Sequence, residues 1–413
     1  MANSPLHVLI LTNGHLCRNP RVFKEATALG KAGYEVTVVG VRNHATSDRL
    51  DADLVLSSPF RLESLNLLPG GGPASFLLRL EVKFRRELAA RGVWKSIGAL
   101  GPARALLRAA QRRPADLTIC HNEIAHWAGV RLLDRGCRVA ADVEDWHSED
   151  LLPEDRKHRP IDLLRSVERT LLHRCSHVTT TSDSLARALH ARYGGRRPEV
   201  ITNSFPLQPD PLTPETSRVS PARFFWFSQT LGPGRGLESF LRAWGRSESH
   251  SEVVLLGEDR GHYAEQLRRL VPPDCRSKLS FRPLVPPVDL PAVIAAHDIG
   301  LALEVTTVAN KDLTISNKIL QYLNAGLAVV ATPTAGQREV LAHDPEAGII
   351  LDLDQADASG SLRELTADRV RLKARRNAAR RLAETRYHWE REEATLLAVV
   401  AQSLGIPKPD LAR

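Results

Sequence analysis

The chain is predicted to be α/β, with two successive parallel sheets covered by helices, and three observations point there. Short aliphatic and β-branched runs alternate with amphipathic helical stretches, as in a parallel sheet buried on both faces. These runs form two series separated by a proline-dense stretch. The 413 residues, 43% of them hydrophobic, exceed what one core comfortably holds, so at ~100–200 residues per domain two domains are expected.

The first series of predicted strands is 7–12, 36–41, 117–120, 139–143, 178–181 and 199–202, and the second is 224–228, 253–257, 279–282, 299–303, 328–332 and 349–352. Between them, Pro206, Pro209, Pro211, Pro214 and Pro221 bar both helix and central strand, which makes this stretch a linker. After Asp354 the pattern is helical. Trp389, Leu396, Leu397, Val400 and Leu404 form the apolar stripe of a terminal helix that must pack on something. The expected boundaries are an N-terminal domain over 1–203, a linker over 204–222, a C-terminal domain over 223–385 and a terminal helix over 386–413.

Net charge is +8, which favours an anionic partner without choosing among nucleic acid, a phosphorylated small molecule and an acidic membrane face. Cys17, Cys120, Cys137, Cys175 and Cys275 are odd in number and far apart, which supports neither a disulfide framework nor a zinc cluster. No apolar run approaches a membrane span, and the N-terminus lacks the basic region and apolar length of a signal peptide. A reducing cytoplasm is the expected compartment.

In the second domain a strand leads into Gly232-Pro233-Gly234-Arg235-Gly236 and then a helix from Leu237. Such a turn lets backbone N–H groups approach a phosphate at a positive helix end. It fails as a dinucleotide fingerprint, because Leu237 stands where the third glycine belongs. Arg235 is suited to a diphosphate, although a plain β–α turn with a solvated Arg reads equally well.

Further on, Ser316 or Thr314 can cap a helix that Gly326 ends, with Lys318 in its first turn. A cation there opposes the helix dipole and makes sense beside a bound anion. Simple solvation of Lys318 is the alternative.

Together with Asn19–Ala26 and Gly33–Val38, these segments resemble a retaining glycosyltransferase of the GT-B fold, family 4 (glycosyl transferases group 1). The most specific parts are the Asn-Lys-x-x-x-Tyr-Leu-x-Ala-Gly-Leu block from Asn317 and the Gly-Pro-Gly-Arg-Gly-Leu-Glu loop. The resemblance spans nearly the whole chain. It implies two facing Rossmann-like domains, the C-terminal one holding a nucleotide-diphosphate sugar, with the last helix crossing back to the N-terminal domain.

By the same resemblance Arg235 matches a diphosphate-contacting basic residue, Gly234 and Gly236 shape its loop, and Ser316 and Asn317 open the donor helix. Where the family commonly carries a second basic residue this chain has Gln229, and Lys318 is expected to replace it. The usual glutamate pair is also missing, its positions being Leu313 and Gln321. Gln321 can still accept a hydroxyl hydrogen bond, while Glu304 or Asp312 could approach the sugar.

In the N-terminal domain His121 follows a strand and resembles the family histidine that touches the donor sugar, with a locally satisfied histidine as the alternative. Asp142, Glu144, Asp145, His147 and Glu149 crowd one loop. The readings open there are an acceptor-side cluster centred on Asp145 and His147, a solvated acidic loop and, less favoured, a metal site. Asn13 and Gly14 are expected to line the remaining wall, with His15 either idle or functional.

The implied chemistry is front-face displacement, without an enzyme nucleophile, a metal or a cofactor. It would move sugar from the nucleotide to a hydroxyl of a glycan, glycolipid or small molecule in polysaccharide or glycolipid assembly. Ten basic residues against two acidic ones between Arg79 and Arg113 interleave with Phe76, Leu77, Leu80, Phe84 and Leu88. The segment 76–113 reads either as a peripheral anchor on an anionic inner membrane face, suiting a lipid-linked acceptor, or as a helix serving the core. Nucleic-acid binding lacks any supporting motif. A nucleotide-sugar epimerase of the same fold and an inactive sugar-nucleotide-binding protein are the remaining alternatives.

Overall fold

The computed structural model describes residues 5–208 and 221–407 and divides into two compact units, Met1–Ile201 with Glu393–Arg413, and Thr202–Glu392. The predicted linker, 204–222, falls largely outside the described residues.

In chain order the first unit holds β1 (His7–Leu11), α1 (Pro20–Lys31), β2 (Glu35–Arg42), α2 (Ala45–Val55), β3 (Arg61–Asn66), α3 (Gly72–Ala90), α4 (Ala103–Gln111), β4 (Leu117–His121), α5 (Asn122–Leu133), β5 (Val139–Val143), α6 (Ile161–Arg174), β6 (Val178–Thr180), α7 (Asp183–Tyr193) and β7 (Glu199–Val200). Its seven strands lie in the order β3-β2-β1-β4-β5-β6-β7, all pairings being parallel. β4 and β5 are buried along their whole length, as expected of central strands in a sheet covered on both faces. β3 lay outside the sequence reading, because this edge strand, Arg-Leu-Glu-Ser-Leu-Asn, is half exposed and polar.

Local chemistry sets the helix ends. Asn19 caps α1 by accepting from Val22 N–H ahead of Pro20 in the first turn, and the Ser182 hydroxyl caps α7 from Leu185 N–H.

The second unit holds β8 (Ala222–Leu231), α8 (Leu237–Arg246), β9 (Ser251–Asp259), α9 (Tyr263–Arg269), β10 (Leu279–Arg282), α10 (Leu290–Ala295), β11 (Ile299–Ala302), α11 (Ala309–Leu313), α12 (Asn317–Asn324), β12 (Ala328–Ala331), α13 (Ala335–Ala342), β13 (Gly348–Ile350), α14 (Ala358–Ala367), α15 (Arg369–Thr385) and the first turn of α16 (Trp389–Leu404). Its six strands run β10-β9-β8-β11-β12-β13. Relative to the first strand of each unit, both orders begin 3-2-1-4-5-6, as in Rossmann folds. Trp226, Phe224 and Phe240 fill one face of this sheet, and Phe225 and Tyr322 the other.

β8 runs to Leu231, past the predicted end at Ser228, through an irregularity between Phe227 and Thr230. The apolar stripe Trp389, Leu396, Leu397, Val400 and Leu404 is buried. From Glu393 onward the terminal helix clusters with the first unit, and there Ser403 Oγ lies 2.6 Å from His177 Nδ1.

Candidate active site

In each sheet the strand order reverses between the first and fourth strands, and ligands of open α/β sheets gather at the carboxyl ends on either side of that switch. In the second unit the switch lies between β8 and β11, and the two segments singled out from sequence follow these strands. Gly234 and Gly236 take φ +73° and +72°, conformations that side chains avoid. A Cβ on Gly236 would come within 3.1 Å of Leu303 Cβ, so the loop after β8 lies against the end of β11. No side chain caps α8 at Gly236, which leaves its first N–H groups available. Arg235 is half-buried beside them and forms no side-chain hydrogen bond or ion pair among the described residues.

Across the switch, Ser316 caps α12 as expected, accepting from Lys318 N–H. Lys318 Nζ is neither solvated nor free: it lies 3.0 Å from Glu304 Oε1 and 5.9 Å from the centre of the Trp226 ring. Ser316 Oγ donates to the same carboxylate oxygen at 3.0 Å. Glu304 is itself anchored, since its N–H donates to Thr332 Oγ1 at 2.8 Å and Thr332 Oγ1 accepts from Gln337 Nε2 at 3.0 Å. Neither Thr332 nor Gln337 stood out in the sequence, since neither matches a catalytic pattern. Gln321 is half-buried on α12 and Asn317 exposed at its start. Asp312 serves the backbone, its carboxylate accepting from Ala335 N–H at 3.1 Å.

The first unit has its own switch between β1 and β4. Asn122, in the left-handed region with φ +67°, accepts through Oδ1 from Thr12 Oγ1 at 2.9 Å and Asn13 N–H at 3.1 Å, tying the two strand ends together. Asn13 and Gly14 are half-buried. His15 is buried, its Nδ1 2.7 Å from Asp51 and its Nε2 accepting from the Asn43 and His44 N–H groups, so it serves structure.

His121 differs from the open position expected beside a cleft, being only 1% exposed. Its Nε2 lies 2.5 Å from Glu25 Oε2 and its Nδ1 3.7 Å from Asp142 Oδ2. Burial lowers its pKa, but the charge and hydrogen bond of Glu25 and the charge of Asp142 outweigh this and raise it. Arg21 closes the cluster, Nε donating to Asp142 Oδ2 at 2.5 Å and Nη1 to Ile201 carbonyl at 2.7 Å. Glu25, His121 and Asp142 converge as metal ligands would, yet a cation there would meet the fixed guanidinium of Arg21. Arg21 and Glu25 lie within the Asn19–Ala26 segment, where the family resemblance gives neither a role. The signal for their role was an Arg and a Glu four residues apart amid the apolar positions of α1.

The acidic loop after β5 is not simply solvated. Asp142 faces Arg21, Glu149 pairs with Arg165 at 2.9 Å and also with Arg156, and Asp150 pairs with Arg159 at 3.0 Å. His147 is buried with Nδ1 3.7 Å from Asp150 and 3.9 Å from Glu123, and Asp145 is half-buried nearby in the chain. Burial opposes the charge on His147, but Asp150, Glu123 and Asp145 push its pKa up to about 9.

Among the described residues no helix is long and apolar enough to cross a membrane. Residues 19–204 match the model of the glycosyl transferase 4-like domain, and residues 223–368 that of glycosyl transferases group 1. No curated protein matches the chain. Among solved structures, Anabaena Alr3699/HepE in complex with UDP and glucose is similar over 97% of this chain and 99% of its own, with TM-score 0.65 and 18% identity. Sucrose-phosphate synthase from Thermosynechococcus elongatus is similar over 97% and 99%, with TM-score 0.70 and 12% identity. A glycosyltransferase from Rickettsia africae is similar over 97% and 99%, with TM-score 0.66 and 11% identity. At these identities the likeness speaks for the fold, which is GT-B. The N-terminal domain belongs to the glycosyl transferase 4-like family and the C-terminal domain to glycosyl transferases group 1.

Proposed function

We propose that the protein is a retaining glycosyltransferase that moves a sugar from a nucleotide-diphosphate sugar to a hydroxyl acceptor. The observation that carries this reading is the pairing, at one switch point of a group 1 domain, of the uncapped α8 N-terminus beside Arg235 with the Ser316–Lys318–Glu304 cluster. The α8 N-terminus and Arg235 offer positive charge to an anion at the carboxyl end of a parallel sheet, and Lys318, paired with Glu304, adds a cation once that carboxylate gives way to a phosphate oxygen.

In the proposed step the bond from the anomeric carbon to the departing phosphate oxygen breaks. The acceptor oxygen bonds to that carbon on the same face, and the acceptor proton passes to the phosphate. Arg235, Lys318 and the helix N-terminus stabilise charge on the leaving diphosphate, so the reaction needs no enzyme nucleophile and no metal. Lys318 exchanges Glu304 for a phosphate oxygen, and Gln321 and Glu304 bond donor hydroxyls. His121, held by Glu25, positions the wall on which Asn13, Gly14, Asp145 and His147 meet the other substrate. A glycolipid acceptor reached from an anionic membrane surface fits the basic segment 76–113.

HepE was crystallised with UDP and glucose, so UDP-sugars head a thermal-shift screen that also includes GDP- and ADP-sugars. Stabilisation by one class is expected from mass action, followed by transfer with retained anomeric configuration in NMR spectra of the product. If no sugar nucleotide stabilises the protein, the proposal fails.

A further inference from the structure

α3 is a helix of 19 residues that buries only Ser75 and Ala89. Phe76, Leu77, Leu80 and Phe84 are 59%, 62%, 52% and 60% exposed, a contiguous apolar face of the kind that marks a binding surface. The apolar residues were expected to serve either a membrane or the core, and they do not serve the core. Beside this face a cavity of about 640 Å³ opens between α3 and α4, within the size range of small-molecule sites.

The cavity has two chemistries. Leu65, Leu77, Leu78 and Ala105 give it an apolar side, and Arg108, Arg112 and Arg113 a cationic one. Its charges are unequally satisfied. Glu81 is paired with Arg85 at 3.0 Å, and Arg113 is engaged by Glu63. Arg108 and Arg112 have no ion pair or side-chain hydrogen bond among the described residues and stand four apart, Arg108 in the last turn of α4 and Arg112 at its C-cap in helical conformation. Like charges at that spacing repel, and an anion between them would relieve the repulsion. Apolar wall and paired cations together call for a ligand that is itself divided in this way.

We propose that the cavity between α3 and α4 binds a single-chain anionic amphiphile, its phosphate-class head on Arg108 and Arg112 and its alkyl chain along Leu77 and Leu78. None of the residues lining the cavity is one assigned above to the donor or to the acceptor wall, and the site is tested by binding alone.

The full chain is titrated calorimetrically with dodecyl phosphate below its micelle concentration, with dodecyl maltoside and inorganic phosphate as separate probes. Dodecyl phosphate is expected to bind at least about 10-fold more tightly than either, since each comparison removes one of the two contacts. The double variant R108E/R112E is expected to weaken dodecyl phosphate by about 10-fold or more, as charge reversal at two sites adds small increments. L77D weakens it as well, while R104E, on the same helix but outside the cavity lining, leaves it unchanged. Leu77, Arg104, Arg108 and Arg112 are exposed, so the fold is expected to survive, with circular dichroism as the check.

Equal affinity for dodecyl maltoside would overturn the role of the arginines, and equal affinity for inorganic phosphate the role of the apolar wall. An unchanged affinity in R108E/R112E, or binding to phosphatidylglycerol vesicles without binding to the monomeric amphiphile, would also overturn the proposal.

Discussion

Lys318 Nζ and Glu304 Oε1 stand 3.0 Å apart at the carboxyl end of β11, so the cation assigned to a donor phosphate already has a carboxylate partner. Ser316 Oγ donates to the same oxygen. A diphosphate must compete with Glu304 for Lys318, and Glu304, once released, keeps Ser316 and becomes able to accept from a donor hydroxyl. Lys318→Ala is therefore expected to raise donor KM and lower kcat, together reducing kcat/KM by about 100-fold. A partly exposed ion pair contributes only about 1 kcal/mol or less, so the unfolding midpoint should barely move. Initial-rate kinetics against donor concentration decide this. Unchanged KM and kcat would remove Lys318 from the site.

Arg235 has no structural partner among the described residues, and this separates function from stability more cleanly than at Lys318. Arg235→Ala is expected to cut turnover by about 100- to 1,000-fold with every acceptor, the size of losing one preorganised charge stabiliser. Arg235→Lys restores part of it, and urea unfolding is the same for all three proteins. Near-normal turnover in the alanine variant would contradict the proposed function.

The cluster of Arg21, Glu25, His121 and Asp142 is buried throughout. Removing one member leaves an uncompensated charge in the core. Asp142→Ala takes from Arg21 the carboxylate that its Nε holds at 2.5 Å and is expected to cost about 3–5 kcal/mol in urea unfolding. A loss below about 1 kcal/mol, the scale of an exposed pair, would show that Arg21 finds water or another partner.

Much of the fold was legible because central parallel strands announce themselves as short, largely apolar runs: Val139–Val143 coincides with a run read from the sequence, and Ile299–Ala302 and Ala328–Ala331 fall within two others. β3 did not, because an edge strand bearing Arg61, Glu63 and Ser64 carries no such run. The loop at Gly234 and Gly236 and the Ser316 cap were legible because helix ends follow local rules. The pairing of Lys318 with Glu304 and the burial of His121 against Glu25 join residues 14 and 96 positions apart, and only the packed sheets bring them together.

His126 and His147 lie with ring centroids 5.6 Å apart and titrate in opposite directions. Burial and then the neighbouring charge of His147 drive His126 down to about 3, while Asp150, Glu123 and Asp145 overcome burial and hold His147 at about 9. As pH falls below the ordinary histidine value of about 6.5, the unfolded chain takes up a proton at His126 that the native state refuses, so stability declines towards acid. As pH rises from about 6.5, the unfolded chain releases the proton that native His147 keeps, so the stability from this charge is lost progressively up to about pH 9. For this pair, stability is greatest near pH ~6.5. His126→Gln keeps a side-chain donor for the Asp142 carbonyl, which lies 2.9 Å from His126 Nε2, but no longer titrates. The variant is expected to flatten the fall in unfolding free energy between about pH 6.5 and 4.5 by about 2–3 kcal/mol relative to the parent. His147→Gln flattens the alkaline limb instead. Urea titrations at half-unit pH steps read both slopes, and an acid limb unchanged in His126→Gln would place the coupling elsewhere.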